Sequence, residues 1–118
     1  YALCEPCLGA GGLRDVGLLL PDTDPTLLGL DARQSAARVV ALLDQSGFTI
    51  QNLDAVLEGR EPRIAPRRTP LRSSIAALFG LDPGQVNVRG KSNEGAGPEG
   101  EGRAVRVTAV ALLVRRVP

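Results

Sequence analysis

The sequence contains no histidine, no methionine and no tryptophan, and only two cysteines, one tyrosine and two phenylalanines among 118 residues. Each scarcity removes a class of structure or chemistry. Without histidine, the soft donors for a zinc ion reduce to Cys4 and Cys7, two short of the four that a closed site needs. With aromatics at 3% and apolar residues at 43%, a core must be built from Leu, Val, Ile and Ala, which favours packed helix and strand layers over an aromatic-rich binding surface. An excess of charge is missing too. The 14 basic residues nearly balance the 13 acidic ones, for a net charge of +1, which argues against a surface dedicated to nucleic acid or to an anionic membrane. The longest apolar run, Ala109 to Val114, falls far short of the roughly 20 residues that cross a bilayer, so the chain reads as soluble. The start lacks an initiator methionine, a basic leader and a cleavage site, and reads as a trimmed beginning from which no compartment follows.

What is present suits one domain, of a length that removes roughly two thirds of the unfolded surface from water. Residues Ala2 to Leu8 read as the tail of a helix, with Pro6 comfortable only in a first turn, and Gly9 to Gly12 as a flexible link. Asp22-Thr23-Asp24-Pro25 is turn chemistry. Asp31 with Gln34 makes a capping-box pattern, so a helix is expected over Ala32 to Gln45, with Ala37, Val40, Ala41 and Leu43 as its apolar stripe and Gly47 as its stop. Phe48 to Leu57 reads as a strand followed by a proline-containing loop. Thr69-Pro70 opens a second helix that runs to Gly80, with Ile75, Leu78 and Phe79 facing inward. Val86 to Arg89 is a short strand, and Lys91 to Gly102, with its many glycines, a loop. Ala104 to Arg115 is the last strand, apolar on both faces from Ala109 to Val114, so its second half is expected to be covered on both sides.

Several segments taken in order carry a resemblance. Tyr1-Ala2-Leu3 leads through Leu8-Gly9-Ala10 to Asp15-Val16-Gly17. Pro21 to Pro25, Gly29 with Asp31, Pro62-Arg63 with Pro66, Val86-Asn87-Val88, Glu94, and Ala109 to Leu113 follow. In this order and spacing the chain resembles the 2-C-methyl-D-erythritol 2,4-cyclodiphosphate synthase family over essentially all of its length, lacking only the first quarter or so of the family's. The resemblance implies a single domain over residues 1–118 without the family's N-terminal strands. It also implies an α+β two-layer fold, with helices on one face of a small mixed sheet and the other face packed around a threefold axis as a homotrimer. Closed threefold symmetry fits the doubly apolar last strand, which one short chain would struggle to cover alone.

In that family zinc polarises the β-phosphate of a cytidine diphosphate-linked substrate. A magnesium or manganese ion bridges the α and β phosphates while the substrate's own 2-phosphate expels cytidine monophosphate. Such catalysis is mostly positioning and charge neutralisation. The resemblance assigns Glu94 to the bridging ion, where a hard oxygen ligand is needed; the plainer reading is a solvated loop glutamate. Tyr1 stands where the family has a zinc-ligating histidine, the other two ligands lie upstream of it, and a phenol with a pKa near 10 is a poor substitute. The zinc site is therefore expected to be lost at Tyr1. Cys4 and Cys7 have the spacing of a thiolate pair, but two cysteines on a partly buried helix is the expected account.

Asp15, Gly17 and Asp22 match the pocket for the methylerythritol hydroxyls, since carboxylates accept hydroxyl donors; they could equally organise turns around Pro21 and Pro25. Leu20 takes the place of an aromatic there. Pro62 and Arg63 match the cytidine-binding loop, with Arg63 in place of lysine, against the alternative of a basic surface loop. Arg67, Arg68 and Arg72 read as a solvated face. Ser92 is a candidate donor to phosphate. Glu101 replaces an arginine that contacts anions on the family's axis, and Thr108 replaces an axial glutamate, so no axial diphosphate site is expected. Together these departures imply a catalytically inactive structural or interaction module that needs no cofactor, holds a homotrimer, and has a cytidine nucleotide and a protein partner as candidate ligands. The alternative is a working synthase seen as a fragment, with zinc and magnesium or manganese as cofactors.

Overall fold

The computed structural model describes residues 2–14, 17, 31–61 and 63–117. In chain order these form α1 (Cys4–Ala10), α2 (Ala32–Gln45), β1 (Phe48–Glu58), α3 (Arg68–Phe79), β2 (Val86–Lys91), the single turn α4 (Gly97–Gly100) and β3 (Arg106–Arg115). The strands make one mixed sheet in the order β2-β1-β3, with β1 parallel to β2 and antiparallel to β3. Helices α1, α2 and α3 lie on one face, the expected α+β arrangement of two layers.

Local chemistry sets the helix ends. The Asp31 carboxylate accepts from the Gln34 backbone N–H at 2.9 Å while the Gln34 side chain accepts from the Asp31 N–H at 3.0 Å, so α2 starts as the capping pattern requires. It is followed by Gly47 at φ 84°, where the left-handed backbone favours glycine. Pro6 sits in the first turn of α1, where its missing N–H has no partner to lose. That helix runs two residues further than Leu8, so Gly9 and Ala10 belong to it rather than to a link. Helix α3 begins at Arg68, one residue before Thr69.

The buried stripe of α2 differs from expectation. Ala37 and Ala41 are exposed, and Ser35, Ala36, Val39 and Leu43 are buried. The helix is apolar almost all round between residues 36 and 43, and the face that removes the larger side chains Val39 and Leu43 from water wins over one that buries alanines. These residues join Cys4, Cys7 and Leu8 of α1, Ile50 and Leu53 of β1, and Phe79 of α3 in the main core. Ile64, Ala76, Val86 and Val88 form a second cluster.

A bulge in β1 lets both Ile50 and Leu53 face the helices. The register steps from Ile50 opposite Leu113 to Asn52 opposite Leu112, so Gln51 is the extra residue that restores an inward side chain at an odd spacing. Strands β1 and β2 run to Glu58 and Lys91, one and two residues past expectation, while β3 begins at Arg106 rather than Ala104. The segment from Lys91 to Gly102 is not a plain loop, for it holds a 3-10 turn at Asn93–Gly95 and the turn α4. Its glycines supply left-handed positions between short helical turns.

The expectation that β3 is covered on both sides is corrected for the single protomer. Ala111 and Leu113 pack against the main core, but Val110, Leu112 and Val114 on the opposite face are 63%, 58% and 46% exposed. The helices supply one layer only, and among the described residues none covers the other face of this edge strand. The turn expected at 22–25 lies outside the described residues. Among the described residues no helix is long and apolar enough to cross a membrane.

Candidate functional site

Strands β1 and β2 are parallel and end side by side, with Glu58 opposite Lys91. The loops that follow them therefore leave the same end of the sheet, the carboxyl end where open α/β sheets bind ligands. One carries Arg63 and the other Ser92 and Glu94, so the structure brings three of the expected residues to one edge. The loops are stitched together. The Gly59 N–H donates to the Lys91 carbonyl at 2.9 Å and the Arg60 N–H to the Glu99 carbonyl at 3.1 Å. The Arg106 guanidinium lies 3.6 Å from Glu99 and 3.9 Å from Glu58.

The turn that presents Glu94 is tightly specified. Ser92 Oγ accepts from the Glu94 backbone N–H at 3.2 Å, which leaves the hydroxyl proton free to donate elsewhere. Asn93 and Glu94 both adopt left-handed backbone, at φ 57° and 51°, followed by Gly95 at 81°. Two successive non-glycine residues there are uncommon and cost energy that the surroundings must offset. Part of that support comes from Gly100 behind the turn, where a Cβ would fall 2.6 Å from the Gly95 carbonyl carbon. The Glu94 carboxylate is exposed and makes no hydrogen bond or ion pair among the described residues, so its oxygens are available.

In the loop after β1, Arg63 is exposed while its neighbour Ile64 is 5% exposed and joins the second core cluster. Arg68 and Arg72 are not merely a solvated face. Arg68 donates to Asn87 Oδ1 at 2.8 Å, and Arg72 donates to the carbonyls of Val86 at 2.8 Å and Pro83 at 2.9 Å. Both guanidiniums are engaged in fixing the start of β2. Gly17 is exposed. Asp15, Asp22, Pro62 and Tyr1 lie outside the described residues.

The cysteines are buried thiols, 4% and 0% exposed for Cys4 and Cys7. Burial raises the Cys4 pKa, and burial followed by the neighbouring Cys4 pushes that of Cys7 up to about 12. Neither is the thiolate that metal binding or redox exchange requires. Among the described residues no group of three or more His, Cys, Asp or Glu side chains could hold a metal. The described donors therefore fit a hard divalent ion that takes one carboxylate and fills its shell with phosphate and water; they do not fit zinc. On the remaining expected departure, Glu101 accepts from Arg103 at 2.7 Å and 2.6 Å, so the reversed charge is neutralised within its own loop.

A cavity of about 430 Å³ lies elsewhere. It lies between the helices and the sheet, lined by apolar side chains such as Leu57, Leu71 and Ile75, and among the described residues it holds none of the expected site residues. What the sequence reading missed at the carboxyl edge was the supporting contacts of Ile64, Gly90 and Gly100. Gly90, a glycine inside a strand, is a legible sign of close approach; which residue approaches is not.

The YgbB family model matches residues 1–114. The 2-C-methyl-D-erythritol 2,4-cyclodiphosphate synthase of Aromatoleum aromaticum is 40% identical over 115 residues, 98% of this chain and 70% of that protein. The bifunctional enzyme IspD/IspF of Anaeromyxobacter is likewise 40% identical over 98% of this chain, which spans only 30% of it. A solved structure of 2C-methyl-D-erythritol-2,4-cyclodiphosphate synthase in its CDP-bound form superposes with a TM-score of 0.85 at 32% identity, covering 97% of this chain and 73% of that one. These relatives overturn the expectation that no cofactor is needed. It followed from inactivity, and chains this similar are named as synthases, the enzymes for which the resemblance implies divalent metals. The match over nearly the whole chain, with the fold that accompanies it, places this protein in the YgbB family of 2-C-methyl-D-erythritol 2,4-cyclodiphosphate synthases.

Proposed function

We propose that this chain carries catalytic loops of a working 2-C-methyl-D-erythritol 2,4-cyclodiphosphate synthase rather than those of an inactive scaffold. The observation that supports this most is the juxtaposition of Arg63 with Ser92 and Glu94 at the carboxyl end of the parallel pair, in a chain 40% identical to a protein of that name. In the reaction an oxygen of the substrate's 2-phosphate bonds to the β-phosphorus as the bond from that phosphorus to the cytidine monophosphate oxygen breaks. No group of the protein need become covalently attached, so the residues act by placement and charge.

Arg63 brings a permanent cation to the diphosphate from the loop that holds the nucleotide. The Ser92 hydroxyl, already accepting from the Glu94 N–H, donates its own proton to a phosphate oxygen. Glu94 offers a carboxylate in a fixed direction because its backbone is held left-handed between Ser92 and Gly95. Magnesium or manganese bound there would neutralise charge shared by the α and β phosphates. Asp15, Gly17 and Asp22 receive the methylerythritol hydroxyls. No step is assigned to zinc, which the described donors do not fit. The open apolar face of β3 supports a homotrimer in which three copies cover one another's Val110, Leu112 and Val114.

A second reading, a trimeric scaffold without catalysis, is favoured by Tyr1 in the histidine position and by the Glu101–Arg103 pair. The deciding experiment is cytidine monophosphate release from the diphosphocytidyl-methylerythritol 2-phosphate substrate by the natural full-length protein, with zinc and magnesium supplied. Release that Glu94→Gln lowers by about 100-fold or more is expected. A folded trimer that releases nothing would leave the scaffold reading in its place.

A further inference from the structure

We propose that the contact between Gly90 and Ile64 is a positioning device that sets the Arg63 loop against the Glu94 turn. Gly90 lies in β2 opposite Leu57 of β1. It is not among the residues with positive φ, so the backbone there does not demand glycine. Space does. A Cβ at Gly90 would fall 2.8 Å from Ile64 Cβ and 3.0 Å from its Cγ1, closer than real Cβ atoms come. Ile64 fills the place of that missing side chain and continues inward to Ala76, Val86 and Val88. Its carbonyl accepts from the Arg67 N–H at 2.8 Å, which closes the turn leading into α3.

The position of this contact in the chain gives it a consequence beyond packing. Ile64 adjoins Arg63, and Gly90 precedes Ser92 by two residues. The same two segments are tied at their backbones by the Gly59–Lys91 and Arg60–Glu99 hydrogen bonds. The backbone ties fix the base of the Arg63 loop, and Ile64 fixes its middle. A wedge at Gly90 therefore shifts Arg63 relative to Glu94 while leaving each residue on its own intact segment. Densely packed neighbours transmit such shifts rather than absorbing them.

What the two loops hold rests on the synthase reading; the contact that couples them does not. The test uses the natural full-length protein. Gly90→Ala is expected to lower kcat for cytidine monophosphate release by about 10- to 100-fold, the scale of an ångström-sized misplacement, with KM within about threefold of the parent value. Adding Ile64→Gly, which removes Cβ, Cγ1 and Cγ2, all three atoms that a Cβ at Gly90 would meet, is expected to restore most of the loss, a non-additivity that identifies a direct coupling. An unchanged kcat, or a loss that Ile64→Gly does not relieve, overturns the proposal.

Amide hydrogen exchange keeps the two ideas apart. If the unaltered protein releases nothing, the synthase reading fails, and exchange alone decides the coupling. Gly90→Ala should then speed exchange at Gly59, Arg60 and residues 92–95 with protection in α2 unchanged. Should Gly90→Ala not fold, Ile64→Ala alone, which overfills nothing, should loosen the same two segments together. No change, or acceleration spread over the whole chain, means that the contact is ordinary packing and the proposal is wrong.

Discussion

Apolar residues on the two faces of the sheet meet different fates. Toward the helices, Ile50, Leu53, Ala55, Val86 and Val88 are all 5% exposed or less. On the other face Val110, Leu112 and Val114 are as apolar and stay in contact with water, beside the Arg89–Asp54 ion pair at 2.8 Å. Hydrophobicity alone therefore does not decide burial here; the supply of covering elements does. Among the described residues this apolar face stays bare, which is what the proposed trimer would cover.

The contrast can be broken most forcefully from the inside. Leu53→Ala, at a residue 0% exposed, is expected to cost about 2–5 kcal/mol of unfolding free energy by urea titration. A loss below about 1 kcal/mol would mean that the inner face is less closely packed than its burial indicates. The buried Cys7 sharpens the same side through pH. Its folded pKa is raised above the ordinary thiol value of 9.0 to about 12, so the thiol is mostly neutral in both states below pH 9. Between pH 9 and 12 the unfolded chain loses a proton that the folded one keeps, and stability falls with rising pH. Cys7→Ala should flatten that decline, and an equal slope in both proteins would show that Cys7 does not contribute to it.

The smallest effect on the protomer is expected outside. Leu112→Asp should change protomer stability by less than about 0.5 kcal/mol, as surface substitutions usually do, while light scattering reports a fall in mass from trimer to protomer. A trimer that persists would remove the proposed role of this face. Loss of the helical circular-dichroism signal together with the mass would show that the bare face also holds the protomer together, and the contrast would dissolve.

Much of this fold was legible because its signals are local. The Asp31 and Gln34 capping pair marked the start of α2, Gly47 its stop, and the runs around Leu53 and Val110 their strands. Which side of α2 is buried was not legible, because apolar residues surround the helix and only the shape of the core chooses among them. The site divides in the same way. Arg63, Ser92 and Glu94 could be named from their segments, whereas Ile64 and Gly100 could not, and Gly90 signalled only a close approach without its partner, since these roles depend on which backbones pass within a few ångströms of one another.

The sequence by itself determined the elements, their order, the family and the near absence of aromatic and imidazole chemistry, because composition, capping and alternation act between residues close in the chain. Only the tertiary structure decided that Arg63 and Glu94 share an edge, that Cys4 and Cys7 are buried thiols, and that one apolar face stays open. Those outcomes depend on parallel pairing of β1 with β2 across the intervening helix, on burial in the core, and on the number of layers available. Each is a property of contacts between residues far apart in sequence.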